Sequence, residues 1–425
     1  MKGWTALLVL ARPLFTGPSF AIFTDLIAGW VLTPARRTIT RTLTTGDPDA
    51  VRAHDAYHRF VRAGAWSMAA LWQVLATHAI TLLQPVGVVI LDTDDTVFKK
   101  TGRSVAGAGV FRDAVRSTRS KVVYAWGLNL VVLTLRVQPP WGGCPLGLPV
   151  NVRVHHKDGP TTVALAIEMI TEVAGWLPGR SFHLHADGAY ATLVGADLPR
   201  TVVTSRMRRD AALYEPAPPR TGKRGRPRTK GDRLPTPPQL AQAATGWVDA
   251  DVDERGHTVA RRLWSRDVLW YHVCPHRLVR LVVVRDPART QPDDFFVTSG
   301  PSATDTEVAT GYAGRWSIEV TNRDAKQDLR GEDPQSWVGD GPARAAALSL
   351  WLHTAIWCWY LTAHGTTQTW TVRAWYRRKT TPSFADALTA LRRTLWKQRI
   401  TAMSAHVRLP TKITDALLST LAEAA

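Results

Sequence analysis

The sequence predicts an α/β protein in which a mixed β-sheet is preceded by a helical region and interrupted by a β-rich insertion. Three patterns indicate this class. Residues 1–84 place apolar side chains at the three-to-four spacing of amphipathic helices. From residue 86 the pattern changes to short apolar runs between polar turns, which is typical of buried strands. Between residues 247 and 299, several segments alternate apolar and polar side chains, as half-buried strands do.

The N-terminal region, residues 1–84, is predicted to be a helical domain. Segments 19–31 and 49–78 have helical spacing, and a turn at residues 45–48 separates them. The first apolar run is too short to span a membrane and is interrupted by Arg12, and no later apolar stretch reaches 18 residues. We therefore expect an unexported, cytoplasmic protein.

An acidic cluster follows the first predicted strand, residues 86–91, which opens the first part of the predicted core at 85–207. Period-two alternation places Asp92 and Asp94 on one face of the strand and Asp95 on the other. Three carboxylates in four positions repel one another unless a cation is present, so the cluster indicates a metal site. An ordinary Asp-rich turn at a strand end is the alternative.

The next elements are predicted as two strands, a helix, a strand, a short helix and a strand, at residues 122–137, 146–155, 161–176, 181–187, 188–198 and 200–207. This order matches the ribonuclease-H-like fold, in which metal-binding aspartates end the first and fourth strands. Asp187 ends the fourth strand here. A zinc or manganese site formed by His183, His185 and Asp187 is an alternative, which we disfavour because no fourth ligand follows at a recognisable offset.

Residues 208–305 are predicted to form a β-rich insertion with a basic arm. The arm, residues 216–238, is too basic and proline-rich to pack and is expected to be a loop or disordered. Its cations include Lys223, Arg224, Arg226 and Arg228. Strands are predicted at residues 247–251, 259–264, 268–273, 278–285 and 295–299.

Residues 311–330 are predicted to form a helix with one functional face, within the second part of the core at 306–365. At about 100° per residue, Arg315, Glu319 and Lys326 lie within roughly 60° of Tyr312. A carboxylate between two cations and an aromatic hydroxyl suits a site that handles phosphates around a metal ion. A solvated helix face with ordinary ion pairs is the alternative. A hydrophobic helix at 343–361, whose tryptophans are expected in the core, and a helical tail at 366–425 complete the chain.

The spacing Tyr-x2-Arg-x3-Glu-x6-Lys resembles the YREK signature of bacterial insertion-sequence transposases, which belong to the ribonuclease-H-like DDE superfamily endonucleases. The resemblance implies that Asp94, Asp187 and Glu319 are the catalytic carboxylates and hold two Mg²⁺ ions, or Mn²⁺, with Asp92 in reserve for Asp94. It also implies that Tyr312, Arg315 and Lys326 hold DNA phosphates beside the cut.

Two further implications of the resemblance concern the additions to the core. The N-terminal helical region would bind the ends of the element, although a purely packing role has equal weight. In certain members the insertion carries an aromatic residue that stacks on a flipped base. Trp264 and Trp270 are candidates here, but tryptophan in a strand is more often part of the core.

The charge balance also favours a nucleic-acid partner. Lys and Arg number 53 against 35 Asp and Glu, a net charge of +18, which favours a polyanion over a merely basic protein from a GC-rich genome. Three cysteines without a CxxC pair argue against a disulfide framework and a zinc knuckle.

The predicted function is therefore cut-and-paste transposition. A nucleoid-associated homodimer would cleave and join double-stranded DNA at the terminal inverted repeats of the element and at its target. The alternatives are a nuclease of the same fold without strand transfer, and a catalytically silent DNA-binding descendant.

Overall fold

The computed structural model describes residues 3–113, 115–118, 120–219, 228–367, 370, 372, 374–403 and 411–423. The N-terminal part is helical, as predicted. Its helices are α1 (Trp4–Val9), α2 (Gly17–Leu32), α3 (Ile39–Gly46), α4 (His54–Ala63) and α5 (Met68–Leu83). Three of them begin at a hydroxyl side chain that accepts a hydrogen bond from the first turn, the residues being Thr16, Thr38 and Ser67. Such caps satisfy amide groups that have no partner within the helix.

The ten strands of the described residues form one mixed sheet. They are β1 (Val89–Lys99), β2 (Gly109–Arg112), β3 (Tyr124–Val137), β4 (Leu146–His155), β5 (Phe182–Ala186), β6 (Thr201–Arg206), β7 (Val248–Glu254), β8 (His257–Val268), β9 (Val279–Arg285) and β10 (Asp294–Thr298). Their order is β2-β3-β1-β5-β6-β10-β9-β8-β7, and β4 also pairs with β3. Strand β1 is antiparallel to β3 and parallel to β5. This large mixed sheet confirms the predicted α/β class and is consistent with a ribonuclease-H-like fold.

The strands of the insertion continue the core sheet. Strand β10 pairs antiparallel with β6, with Phe296 opposite Arg206 and Thr298 opposite Thr204. Strands β9, β8 and β7 then follow as antiparallel neighbours. The insertion is thus β-rich, as predicted, and its backbone hydrogen bonds extend the sheet that carries the acidic residues.

The structure corrects several details of the predicted elements. The segment predicted to be helical at 49–78 is two helices, α4 and α5, with residues 64–67 between them. Strand β1 runs past the aspartates to Lys99, because β3 pairs with it over that length. The short helix after Asp187 is a 3₁₀ helix, Gly188–Gly195. The strand predicted at 268–273 is wrong: β8 ends at Val268, and the following residues turn, with the amides of Val273 and Cys274 bonded to the Trp270 carbonyl. The helix predicted at 311–330 is two helices, described below.

The remaining helices are α6 (Thr162–Trp176), α7 (Pro237–Ala243), α8 (Asp305–Gly314), α9 (Trp316–Gln327), α10 (Gly341–Ala363), α11 (Phe384–Met403) and α12 (Thr411–Glu423). Helix α10 is buried along most of its length, and its tryptophans are core residues, as predicted: Trp351, Trp357 and Trp359. The indole of Trp351 donates to the Leu71 carbonyl on α5 at 3.2 Å, and that of Trp30 on α2 donates to the Leu329 carbonyl at 2.9 Å. The N-terminal helices therefore share one hydrophobic core with the sheet and α10.

Within the described ranges, no single helix is long and apolar enough to cross a membrane. Helices α4 and α5 together have the length and apolar composition of a membrane span, but they are bent by 83° at the break between them. Their large apolar side chains, including Tyr57, Phe60, Leu71 and Trp72, are buried in the core.

Candidate active site

The first two predicted carboxylates lie on β1 and directly after β5, which are neighbouring strands of the sheet. The parallel register of β1 and β5 ends with Thr93 opposite Ala186. Asp94 follows Thr93 in β1, and Asp187 follows Ala186 at the end of β5. The end of this pairing therefore brings the two aspartates close together, where the two strands separate. The sequence placed Asp94 at a strand end. The structure shows that only its β5 side is free, since β3 still pairs with β1 there.

A cleft of about 790 Å³ lies over this edge. Its walls include all three predicted carboxylates, Asp94, Asp187 and Glu319, and two of the predicted phosphate-binding cations, Arg315 and Lys326. The structure thus brings together, in one cleft, residues separated by more than 200 positions in sequence.

The catalytic helix predicted from the sequence is interrupted at Arg315, the residue between α8 and α9. The Arg315 amide bonds to the Tyr312 carbonyl at 3.1 Å, and the Ile318 amide bonds to the Arg315 carbonyl at 3.0 Å. These i to i+3 bonds tighten the chain locally, as in a 3₁₀ turn. Because of this turn, Arg315 leads into the first turn of α9, where Glu319 also lies, and both side chains reach the cleft.

Arg315 links two of the carboxylates. Its Nη1 donates to Asp94 Oδ2 at 2.9 Å, and its Nη2 donates to Glu319 Oε1 at 2.8 Å. Burial raises the pKa of Asp94 to about 6; Arg315 opposes this shift, while the charges of Asp95 and Asp187 add to it. A buried carboxyl with two acidic neighbours is an environment in which an added cation would stabilise the charged form.

Tyr312 and Lys326 flank this centre. The Tyr312 ring packs against Phe296 at 4.3 Å between centroids, and the Arg315 guanidinium lies 5.6 Å from the Tyr312 centroid. Lys326 Nζ donates to Thr96 Oγ1 at 2.6 Å, and Thr96 lies two residues beyond Asp94 on β1. Lys326 therefore lies in the wall of the cleft, whereas Tyr312 lies between Arg315 and Phe296 of β10.

Asp92, the reserve ligand, lies beneath the cleft and is fully buried. Both of its carboxylate oxygens accept from Arg136, with Nε to Oδ2 at 2.9 Å, and Ser317 Oγ lies 3.3 Å from Oδ2. Arg136 also donates to the Gly311 carbonyl at 2.6 Å. This pair joins β1, β3 and the α8–α9 junction, so both carboxylate oxygens of Asp92 have protein partners, whereas Asp94 lines the cleft.

Sequence reasoning missed Arg136, although a signal existed. It is the one charged residue of the long, mostly buried strand β3, and a charge in that position needs a partner of opposite sign. Trp316 was also missed. It lies in the cleft wall and is partly exposed, and the Arg255 guanidinium carbon lies 3.8 Å from the centroid of its ring.

The two histidines beside Asp187 are packed against each other. The rings of His183 and His185 stack at 4.3 Å, and His183 Nε2 lies 2.8 Å from Thr204 Oγ1. His185 is buried against Gly311 of α8, where a side chain would collide with its ring. The expectation of hydrogen-bonded histidines is met at His183. Within the described ranges no group of three or more His, Cys, Asp or Glu is already arranged around a metal position, and this holds for His183, His185 and Asp187 as it does for the three carboxylates of the cleft.

The other predicted residues have different positions. Lys223, Arg224 and Arg226 lie outside the described residues. Arg228 is exposed and pairs with Asp232 at 3.2 Å. Trp264 packs beside Trp247 at 6.4 Å, and Trp270 is buried, so both tryptophans contribute to the core.

The donor set of the cleft fits a hard divalent cation. Asp94, Asp187 and Glu319 offer carboxylate oxygens, which Mg²⁺ and Mn²⁺ prefer. The Arg315 guanidinium bridges Asp94 and Glu319 at hydrogen-bond distance. The Arg315 guanidinium thus neutralises part of the negative charge of these two carboxylates, as a bound metal ion would.

A family model described as DDE superfamily endonuclease matches residues 20–268, more than half of the chain. The chain belongs to this family. The match includes Asp94 and Asp187 and ends before Glu319. DDE endonucleases act on DNA and typically use divalent metals, in agreement with the carboxylate cleft. No curated protein matches the sequence.

Proposed function

We propose that this DDE endonuclease is a transposase of the YREK group, which cleaves DNA at the ends of a mobile element and joins the freed ends to a target. The observation that supports it most is the shared cleft of Asp94, Asp187 and Glu319, with Arg315 and Lys326 on its walls. A nuclease needs the carboxylates. The two cations, one at the start and one near the end of α9, are the addition expected of an enzyme that holds a cleaved DNA end for a second reaction.

In this proposal Asp94, Asp187 and Glu319 would hold two Mg²⁺ ions, or Mn²⁺, when DNA is bound. Such a pair of ions activates the attacking oxygen and stabilises the leaving oxygen in phosphoryl transfer. The protein positions the reacting groups and neutralises charge. Arg315 would exchange its carboxylate partners for a DNA phosphate, to which a guanidinium binds through two parallel hydrogen bonds. Lys326 would bind a phosphate further along the helix, and Tyr312 would keep Arg315 in place.

The partner in this proposal is double-stranded DNA, namely terminal inverted repeats and target, bound by a homodimer. The net charge of +18 supplies a polyanion-binding surface. Arg228, with Lys223, Arg224 and Arg226, would add contacts to the DNA backbone. The division into a helical domain at 1–84, a core at 85–207 and 306–365, an insertion at 208–305 and a tail at 366–425 is also a proposal, as is a cytoplasmic, nucleoid-associated location.

The test is cleavage and joining of labelled duplexes that carry the terminal repeats flanking the coding sequence. We expect Asp94→Asn, Asp187→Asn and Glu319→Gln each to abolish both reactions, in Mg²⁺ and in Mn²⁺, while DNA binding persists. Asp197→Asn and Glu168→Gln are matched controls, because these acids are exposed and outside the cleft. Both control variants should retain full activity.

The outcomes separate the alternatives. Cleavage by the parent without any joined product would leave a nuclease. Binding without cleavage would leave a silent DNA-binding protein. Full activity of Glu319→Gln would refute the proposed active site as a whole.

A further inference from the structure

Two histidines on the outer face of α4 direct nitrogen atoms at one oxygen. His54 Nε2 lies 3.0 Å and His58 Nε2 lies 3.3 Å from the Oγ1 atom of Thr40 on α3. The ring centroids are 4.7 Å apart. A spacing of four residues puts both side chains on the same face of the helix, and the shared contact shows that their nitrogens converge.

This arrangement is held by the core on the opposite side of α4. Tyr57 is buried, and its hydroxyl donates to Asp47 at 2.9 Å and Asp25 at 3.1 Å. Phe60 and Val61 are buried as well. Because packing fixes the helix, little conformational freedom remains to be lost when the two imidazoles bind a common ligand.

The chemistry of two imidazoles selects a class of metal. Imidazole nitrogen suits Zn²⁺, Ni²⁺ and Cu²⁺, whereas Mg²⁺ prefers oxygen. Zinc enzymes use the same spacing of two histidines on one helix. Burial lowers the pKa of His58, and the charges of His54 and Arg62 lower it further, while the charge of Asp55 opposes them. Asp55 adds a negative charge nearby, and Arg62 opposes it.

We propose that His54 and His58, with the hydroxyl of Thr40, form a surface site for one transition-metal ion of the Zn²⁺, Ni²⁺ or Cu²⁺ class. In the part of the chain that the structure describes, no third His, Cys, Asp or Glu completes the set. Water fills the remaining positions, and the site binds less tightly than a structural zinc centre with four protein ligands. By binding residues of both α3 and α4, the ion links two helices of the N-terminal region.

The site is separate from the catalytic cleft and does not rest on the proposed function. The histidines border a cavity of about 270 Å³, together with Ser336, Trp337 and Val338. None of these residues lines the cleft of the three carboxylates. Two of its three protein ligands are imidazole nitrogens, whereas the cleft offers carboxylate oxygens, so the two sites prefer different metals.

The test is a titration of the full chain, carrying no histidine tag, with Zn²⁺ and with Ni²⁺ in the presence of excess Mg²⁺ to occupy the carboxylates. We expect saturable binding of one ion at this site. His54→Ala and His58→Ala should each weaken that binding at least roughly tenfold. His276→Ala is the matched control, because His272 and His276 have the same spacing outside any helix, and it should leave binding unchanged.

Binding that persists in the folded His54→Ala/His58→Ala double variant would refute the site, as would the absence of saturable binding by the parent. Circular dichroism checks that each variant folds. Electron paramagnetic resonance of the parent loaded with Cu²⁺ supplies a readout that needs no variant. Hyperfine coupling to two imidazole nitrogens, lost in the double variant where that variant folds, supports the proposal, and a spectrum without nitrogen coupling overturns it.

Discussion

Two arginine–aspartate pairs lie two residues apart on β1, and they differ in their access to solvent. In the lower pair, Asp92 is 0% exposed at its side chain and Arg136 is 10% exposed. In the upper pair, Asp94 is 19% exposed, and its partner Arg315 also binds Glu319, which is 36% exposed. The same two residue types therefore seal the core in one place and line an open cleft in the other.

Strand β1 therefore carries one aspartate that stabilises the fold and one that lines the cleft. A buried carboxylate without its partner has no water to stabilise it, so the lower pair is needed to keep the α8–α9 junction on the sheet. A carboxylate at a cleft can exchange its partner for a cation or a water molecule. The lower pair is thus expected to respond to substitution through stability, and the upper pair through binding.

The largest effect is expected at the lower pair. Arg136→Met leaves Asp92 buried without a counter-charge and should reduce the free energy of unfolding by about 3 to 5 kcal/mol. Urea unfolding measures this. Replacing the whole pair, as Asp92→Leu with Arg136→Met, should recover much of the loss, because no unpaired charge remains. A single variant within about 1 kcal/mol of the parent would contradict the structural role of the pair.

A smaller effect is expected from the titration of Asp94. Its pKa is raised from 3.8 to about 6 in the folded protein, so the folded state binds this proton more tightly than the unfolded state. The resulting stability is fully present below pH 3.8 and is lost as the pH rises through 6. The loss should amount to about 1 to 3 kcal/mol.

This prediction is checked by urea unfolding of the metal-free protein at several pH values between 4 and 7. Asp94→Asn cannot titrate, so its stability should fall less over this range, and the difference between the two proteins isolates the group. Equal slopes for parent and variant would show that Asp94 titrates normally.

The smallest effect on stability is expected at Arg315. Arg315→Met should reduce the free energy of unfolding by less than Arg136→Met does, because the side chains of Asp94 and Glu319 are 19% and 36% exposed whereas that of Asp92 is fully buried. The variant should bind Mg²⁺ roughly tenfold more tightly, since one competing positive charge is removed. It should nevertheless lose most DNA cleavage or joining. Calorimetric titration with Mg²⁺ tests the comparison, and a variant as unstable as Arg136→Met would show that the upper pair is also structural.

The strands and the helix that carry the candidate site could be predicted from the sequence alone. Strand periodicity placed Asp92 and Asp94 on one face, the turn after residues 181–187 placed Asp187 at a strand end, and helical spacing placed Arg315 and Glu319 on one face. These predictions succeeded because the period of a side chain along a strand or helix is a local property of the backbone. The four insertion strands that were predicted correctly depended on the same alternation.

Which arginine pairs with which aspartate could not be predicted from the sequence. Asp92 and Asp94 are equivalent in the sequence, and Arg136 and Arg315 are 44 and 221 positions away from them, respectively. The pairing depends on the register of β1 with β3 and on the turn at Arg315, and both are set by long-range packing. The same packing decided that Asp92 is covered by Ser317 and the α8–α9 junction while Asp94 faces the cleft. Because solvent access fixes whether a carboxylate needs a permanent partner, burial, and not residue type, separated the structural aspartate from the candidate ligand.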